Sequence, residues 1–250
     1  MTDADAAALD AILSSPHRSP AHRARDSHRH PRETLGFFGL AADMHVVEIW
    51  PITGWYTEIL APFLKDRGRL TCAHFPADHR EELLRRQRAE FVAKLAGAPG
   101  IYGAPTVTAF GKDRYDYAPD GSADMVLTIR NLHNWMWSDY LAPVLASFLR
   151  VLKPGGVLGL EEHRGDPAKP QDPQARDCYV RQDVAIALVT AAGFVFEAAT
   201  EINANPRDTK DHPRGALSLP PVLRGVESDP ARYLAIGESD RMTLRFRKPG

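Results

Sequence analysis

The sequence predicts an α/β protein: a doubly wound, mostly parallel seven-stranded sheet with an N-terminal helical cap. Three observations carry that expectation. Apolar strand-like runs alternate with helical periods from Val46 onward. The stretch Val46–Leu60 reads as a buried strand, a sharp turn and a helix start, with Glu48 near the strand's end and Gly54 in the turn. In α/β sheets that corner is where turn amides and a helix N-terminus meet a polar ligand. The last two strands are joined without a core helix, which implies one antiparallel strand there.

Residues 1–35 form an expected cap or lid. Asp5–Leu13 is a short amphipathic piece, Pro16 and Pro20 interrupt it, and Ala21–Leu35 is dense in Arg and His. Residues 36–250 form the expected α/β domain. Val46–Ile49 is a first strand, followed by a helix from about Trp55 to Lys65 that Pro62 should kink or end early. Arg69–His74 is a second strand. Asp78 is expected to cap a helix running to Ala96, with Glu81 completing a capping box and Gly97 as the stop. Thr106–Phe110 and Asp124–Ile129 are the third and fourth strands, the latter a continuous apolar run suited to a sheet covered on both faces. Ser138 is expected to cap a helix whose apolar face holds Leu141, Leu145, Phe148, Leu149 and Leu152. Lys153-Pro154-Gly155-Gly156 is a turn and Val157–Leu160 a fifth strand. Asp183–Ala192 is a helix stopped by Gly193, and Phe194–Thr200 and Met242–Arg247 are the closing strands. Between them, residues 203–240 are rich in Pro, Asp and Arg, an excursion of the kind that serves as a lid.

The 250 residues suffice for one α/β domain with a full core. A net charge of -1 gives no basic field to attract nucleic acid or an anionic membrane. No apolar run approaches the length of a membrane helix, and no signal peptide is readable. The two cysteines, Cys72 and Cys178, suggest no reliance on disulfides. The expectation is a cytoplasmic protein acting on a small molecule, without nucleic-acid or membrane partners; a homodimer is compatible with it.

Three segments in order carry a resemblance: Glu48…Gly54, Pro119–Val126 leading into strand four, and Leu152-Lys153-Pro154-Gly155-Gly156-Val157-Leu158. Over roughly residues 40–200, with Asp240–Phe246 as the closing strand, the chain resembles class I S-adenosylmethionine-dependent methyltransferases. Trp50-Pro51…Trp55-Tyr56-Thr57 and Arg130–Trp135 resemble a poorly characterised bacterial branch of predicted methyltransferases. The resemblance implies a Rossmann-like methyltransferase fold, S-adenosylmethionine as cofactor and S-adenosylhomocysteine as product. It also implies site residues. Glu48, Trp50 and Gly54 would hold the methionine end, His74 and Phe75 the ribose and adenine, and Lys112 and Asp113 the adenine edge. Arg130, Asn131 and His133 would face the methyl and the acceptor, with Arg130 also near the cofactor. The chain departs from the family's acidic-x-Gly-x-Gly-x-Gly turn: Trp50 and Ile52 stand at the first two glycine positions, and His74 replaces the acidic residue after strand two.

His133 suits a general base, because imidazole titrates near neutrality. Arg130 suits a carboxylate. All four tryptophans lie in two segments, Trp50 and Trp55, then Trp135 and Trp137. Walls of an adenosyl pocket and ordinary core packing are both open for them. Glu161, Glu162 and His163 invite a metal, but no well-spaced third carboxylate accompanies them, and the expectation is no metal. His17, His22, His28 and His30 match no zinc spacing and read as a solvated basic segment. Two alternatives stand beside methyl transfer. One is a degenerate binding or scaffold module whose cofactor corner Trp50 and Ile52 fill. The other is an enzyme using S-adenosylmethionine without transferring methyl.

Overall fold

The computed structural model describes residues 2–250. Seven strands among them form one sheet: β1 (His45–Ile49), β2 (Arg69–His74), β3 (Thr106–Ala109), β4 (Ala123–Ile129), β5 (Leu152–His163), β6 (Val195–Thr200) and β7 (Arg241–Arg247). Their spatial order is β3-β2-β1-β4-β5-β7-β6. Strands β1 to β5 pair in parallel, and β7 lies antiparallel between β5 and β6. The order reverses between β1 and β4, so loops following those strands share one crevice. The mostly parallel, doubly wound sheet is as expected, including the antiparallel closing strand. β4 is buried on both faces because helices cover both.

One face is covered by α1 (Asp3–Ser14), α4 (Pro31–Phe38), α5 (Thr57–Leu64) and α6 (Glu82–Gly97). Leu9, Leu35, Phe38, Ile59, Leu60 and Phe91 pack there against Val46, Cys72 and Leu127. Gly159 in β5 lets the Phe38 ring approach closely; a Cβ there would sit 2.9 Å from it. The other face is covered by α9 (Leu141–Val151) and α10 (Gln182–Ala191), with Val144, Phe148 and Val189 over Val126, Leu158 and Leu244.

Several local expectations are corrected. Pro62 does not end α5, which runs on to Leu64. Proline removes the amide that would bond the Glu58 carbonyl, and His17 Nε2 supplies that bond at 2.8 Å. His17 is therefore no solvated basic residue. Asp78 caps nothing: α6 begins at Glu82, and Asp78 pairs with Arg114 at 2.6 Å. Ser138 closes a helix instead of opening one. It ends α8 (Leu132–Trp137), an unanticipated element, and α9 starts after Tyr140. Lys153–Gly156 lies within the span of β5, where the pairing with β4 shifts register.

The N-terminal segment continues through α2 (Pro20–Arg23) and α3 (Asp26–Arg29), which are bonded to Trp55 in the loop after β1, to Glu238 just ahead of β7 and to Arg241 at its start. Trp55, just before α5, anchors it. Its indole N–H donates to the His22 carbonyl at 2.9 Å, and the Arg29 and Arg18 guanidiniums stack on its ring at 4.5 and 5.4 Å. Arg18 is fully buried and pairs with Asp26. The 203–240 stretch contains a 3₁₀ turn at Gly215–Ser218 and the helix α11 (Pro230–Ile236). Asn203 stitches it to α4, β5 and β7 through Thr34, Glu161 and Thr243. No helix among the described residues is long and apolar enough to cross a membrane.

Candidate active site

The turn after β1 holds left-handed backbone at all three positions where the resembled pattern has glycine: Trp50 (φ 47°), Ile52 (φ 54°) and Gly54 (φ 81°). That conformation is easy for glycine and strained for a β-branched side chain. The turn is thus left-handed at all three positions with a glycine at only one of them. A Cβ at Gly54 would also press on Phe91 at 3.0 Å. Strain of this kind persists only where the surroundings impose it. Part of the imposition is visible, because His74 Nε2 donates to the Ile52 carbonyl at 3.1 Å.

Glu48 sits beneath the turn, 4% exposed, and accepts a 2.7 Å hydrogen bond from Thr57 Oγ1 at the start of α5. Burial pushes its pKa up to about 7, against the opposing pull of Thr57 and Lys94. The indole of Trp50 enters the space bounded by Phe75, Phe110 and Trp135, with ring centroids 5.0, 5.9 and 5.5 Å away. Its N–H donates to the Phe110 carbonyl. Beside it the Trp135 Nε1 is buried without a partner.

His74 is not free to hold a ribose as the resemblance implied. It is fully buried, its Nε2 is used on Ile52, and its Nδ1 accepts from the Phe75 amide at 2.8 Å. Burial lowers its pKa to about 4, so both ring nitrogens of a neutral imidazole are spent on backbone. Lys112 and Asp113 stand exposed on the turn closed by the Gly111–Arg114 bridge, Asp113 at φ 62°. Arg88, missed in the sequence, secures this edge by donating to the Phe75 and Thr108 carbonyls.

The residues after β4 behave differently from one another. Asn131 is buried and donates to the Ile49 carbonyl and Thr128 Oγ1, so it ties β1 to β4 instead of facing an acceptor. His133 is buried, and its Nδ1 donates to Glu162 Oε1 at 2.9 Å. Burial alone would lower its pKa, but Glu162 and the Cys178 thiol raise it to about 10. The ion pair with Glu162 thus favours the protonated imidazole, which runs against the expected role as general base. Arg130 has left-handed backbone (φ 60°), and its Nε is buried without a partner.

Arg130 belongs to a larger group that sequence reading missed. Glu238, just ahead of β7, accepts from Arg25 (2.6 Å), Arg29 (3.5 Å) and Arg241 (2.8 Å). Arg241 Nε also faces Glu161 at 3.3 Å. Burial would raise the Glu238 pKa, but these guanidiniums hold it far below the usual carboxylate range. Tyr56 Oη is buried in the same field, and burial pushes its pKa up. The only signals in the sequence were the Arg-rich N-terminal run and the Glu238–Arg241 segment before the last strand.

His133, Glu162 and His163 offer ligand atoms within 4.8 Å of one another. His163 is held neutral first by burial and then by the positive charges of His133, Arg130, Arg241 and Arg29. A separate cleft of about 480 Å³ opens between α8, α9 and α10, lined by Trp135, Met136, Tyr140 and Leu188 among others. Trp135 is the wall it shares with the Trp50 cluster.

No family model and no curated protein matches the chain in sequence. Solved structures match its fold. A S-adenosylmethionine-dependent methyltransferase from Aquifex aeolicus is 14% identical with a TM-score of 0.61, covering 96% of this chain and 97% of that one. The [4+2]-cyclase SpnF is 17% identical with a TM-score of 0.60, covering 94% and 85%. The N-methyltransferase NodS from Bradyrhizobium japonicum, solved with S-adenosylhomocysteine, is 13% identical with a TM-score of 0.52, covering 99% and 100%. At such identities the likeness establishes the fold, the Rossmann-like fold of these methyltransferases.

Proposed function

We propose that this protein binds S-adenosylmethionine at the turn between β1 and α5 and transfers its methyl group to a small-molecule acceptor. The observation that carries this reading is the left-handed backbone at Trp50, Ile52 and Gly54 above the buried Glu48. A strained turn kept without the glycines that would relax it points to a retained task. The fold likeness to methyltransferases supports the same reading.

The residues divide by role. The turn amides and Glu48 fit the polar methionyl half of the cofactor, with Gly54 keeping the backbone open to it. Trp50, Phe75 and Phe110 form the aromatic surface on the nucleoside side, with Lys112 and Asp113 at its outer edge. When bound, the cofactor would supply an electrophilic methyl on a sulfonium. His133, held protonated by Glu162, then acts as a cationic donor beside the acceptor rather than as a base. Residues 1–35 and the 203–240 excursion cover the crevice and exclude water.

A second reading has its own observation. Trp50 occupies the aromatic slot with its own indole, and His74 is consumed by the turn. Both suit a degenerate module whose corner is filled from within. Calorimetry of the purified chain with S-adenosylmethionine and S-adenosylhomocysteine separates the two. Micromolar binding is expected from the first. A folded chain that binds neither, and gains affinity on Trp50→Gly, establishes the second.

A further inference from the structure

We propose that Arg29, Arg130 and Arg241, with Arg25 at the rim, form an oxyanion-binding site for the carboxylate or phosphate group of a small molecule. Charge and hydrogen bonding carry the proposal together. Three guanidiniums, those of Arg25, Arg29 and Arg241, pair with two carboxylates, Glu161 and Glu238, and the guanidinium of Arg130 pairs with neither, leaving an excess of two positive charges. The neighbouring histidines do not offset it, because His163 is neutral and His133 is balanced by Glu162. Arg29 and Arg241 are buried and Arg25 and Arg130 are only partly exposed, so the excess charge is incompletely hydrated and open to a counter-anion.

The donors lack acceptors as well as counter-charge. Arg25 Nη2, Arg29 Nη2, Arg130 Nε and Tyr56 Oη are all buried with no hydrogen-bond partner. A plain structural network explains Arg25, Arg29 and Arg241, which all bond Glu238. It does not explain Arg130, which bonds to nothing through its side chain although its backbone is strained at φ 60°. Burial, then the charges of Arg130 and Arg25, depress the pKa of Arg29 to about 9, so the repulsion is felt inside the cluster. The fork of a guanidinium matches carboxylate and phosphate oxygens. A divalent cation is the wrong sign for this field.

The anion has two sources: the cofactor's own carboxylate, or an acidic group on the acceptor. Choosing between them rests on the methyltransferase reading; the anion site itself does not. The test uses the whole chain, with inorganic phosphate and malonate titrated by calorimetry at constant ionic strength against chloride. Saturable binding of either anion is expected. Arg130→Gln should weaken it by about tenfold or more, and Arg130→Lys by less, because the charge is kept and the fork lost. Without added anion, Arg130→Gln should melt no lower than the parent, since it removes a like charge and breaks no bond. Absence of saturable binding to the parent, or equal affinity in Arg130→Gln, overturns the proposal. Repeating the titration at saturating S-adenosylhomocysteine assigns the source. Phosphate that still binds marks an acceptor subsite, and phosphate that is displaced marks the cofactor's carboxylate seat. Phosphate binding in a chain that binds no S-adenosylhomocysteine sustains the anion site while removing the methyltransferase reading.

Discussion

The indole N–H of Trp50 donates to the backbone carbonyl of Phe110 at 3.1 Å, joining the turn after β1 to the end of β3. This bond makes Trp50 a wall that the turn builds for itself. A glycine there would leave the space between Phe75, Phe110 and Trp135 open. Ile52 has no such compensation, since its side chain is 38% exposed. The two replacements for glycine therefore differ in kind, one packed and bonded, the other strained with little in return.

Ile52→Gly should accordingly stabilise the protein. Left-handed backbone in a non-glycine residue costs about 1–3 kcal/mol. The extra freedom of glycine in the unfolded chain takes back about 0.5–1 kcal/mol. The net gain is about 1 kcal/mol, a melting temperature higher by roughly 2–4 °C in a chain of this size. Calorimetric melting at fixed pH checks it. A lower melting temperature would mean that Ile52 makes contacts worth more than its strain.

Glu48→Gln should change stability and cofactor binding in opposite directions. The folded pKa of Glu48 is about 7 against an ordinary 4.5, so between those values the folded state holds a proton that the unfolded state has lost. Stability then falls as pH rises through that window and stays reduced above it. Glutamine cannot ionise. At pH 8 the variant should be the more stable by an amount on the order of 3 kcal/mol at most, and the difference should vanish near pH 4. Its affinity for S-adenosylmethionine should fall. Unchanged affinity would remove Glu48 from the anchor role, and parallel pH–stability curves would contradict its raised pKa.

The sheet was legible because its strands are apolar runs separated by turn residues, and the antiparallel end because the sequence between β6 and β7 shows no period of a core-covering helix. The turn was legible from Glu48 and Gly54. Its left-handed backbone at Trp50 and Ile52 was not, since neither side chain favours that conformation. Helix α8 was hidden because Leu132–Trp137 is too short to show a period. The arginine cluster was hidden for another reason. Arg25, Arg29, Arg130 and Arg241 are far apart in sequence and meet only because the sheet order sets the end of β4 and the start of β7 on either side of β5, under α3. His133 was found by type, but its titration depends on Glu162, a partner from another strand.

Glu162→Gln should release His133 from its raised pKa. With Glu162 the folded imidazole titrates near 10, so its favourable ion pair is fully present below about pH 6.5 and is lost as pH rises through about 10. Without the carboxylate, burial becomes the dominant influence and should take the pKa below its ordinary value. Imidazole nitrogen shifts followed by NMR against pH read this directly. His133→Ala should be more damaging than Glu162→Gln, destabilising by about 3–5 kcal/mol, because it strands a buried carboxylate. A parent His133 that titrates near neutrality would reinstate it as a general base.

Trp55→Ala should loosen residues 1–35 from the sheet before it unfolds the rest. The ring is 4% exposed and carries two guanidiniums, while its N–H holds the His22 carbonyl. Losing a buried tryptophan costs about 3–5 kcal/mol, and here the loss falls on the seam between the N-terminal segment and α5. Trp55→Phe keeps the ring face and removes the donor, so it should cost only about 1 kcal/mol. Limited trypsin digestion reads the difference, since Arg23 is exposed on that segment. Trp55→Ala should be cut there much faster than the parent while the circular dichroism of the sheet persists, and Trp55→Phe should fall between them. Equal cleavage rates in all three would mean that the pairings of His22 with Glu58, Arg25 with Glu238 and Asp5 with Arg67 hold the segment without the tryptophan.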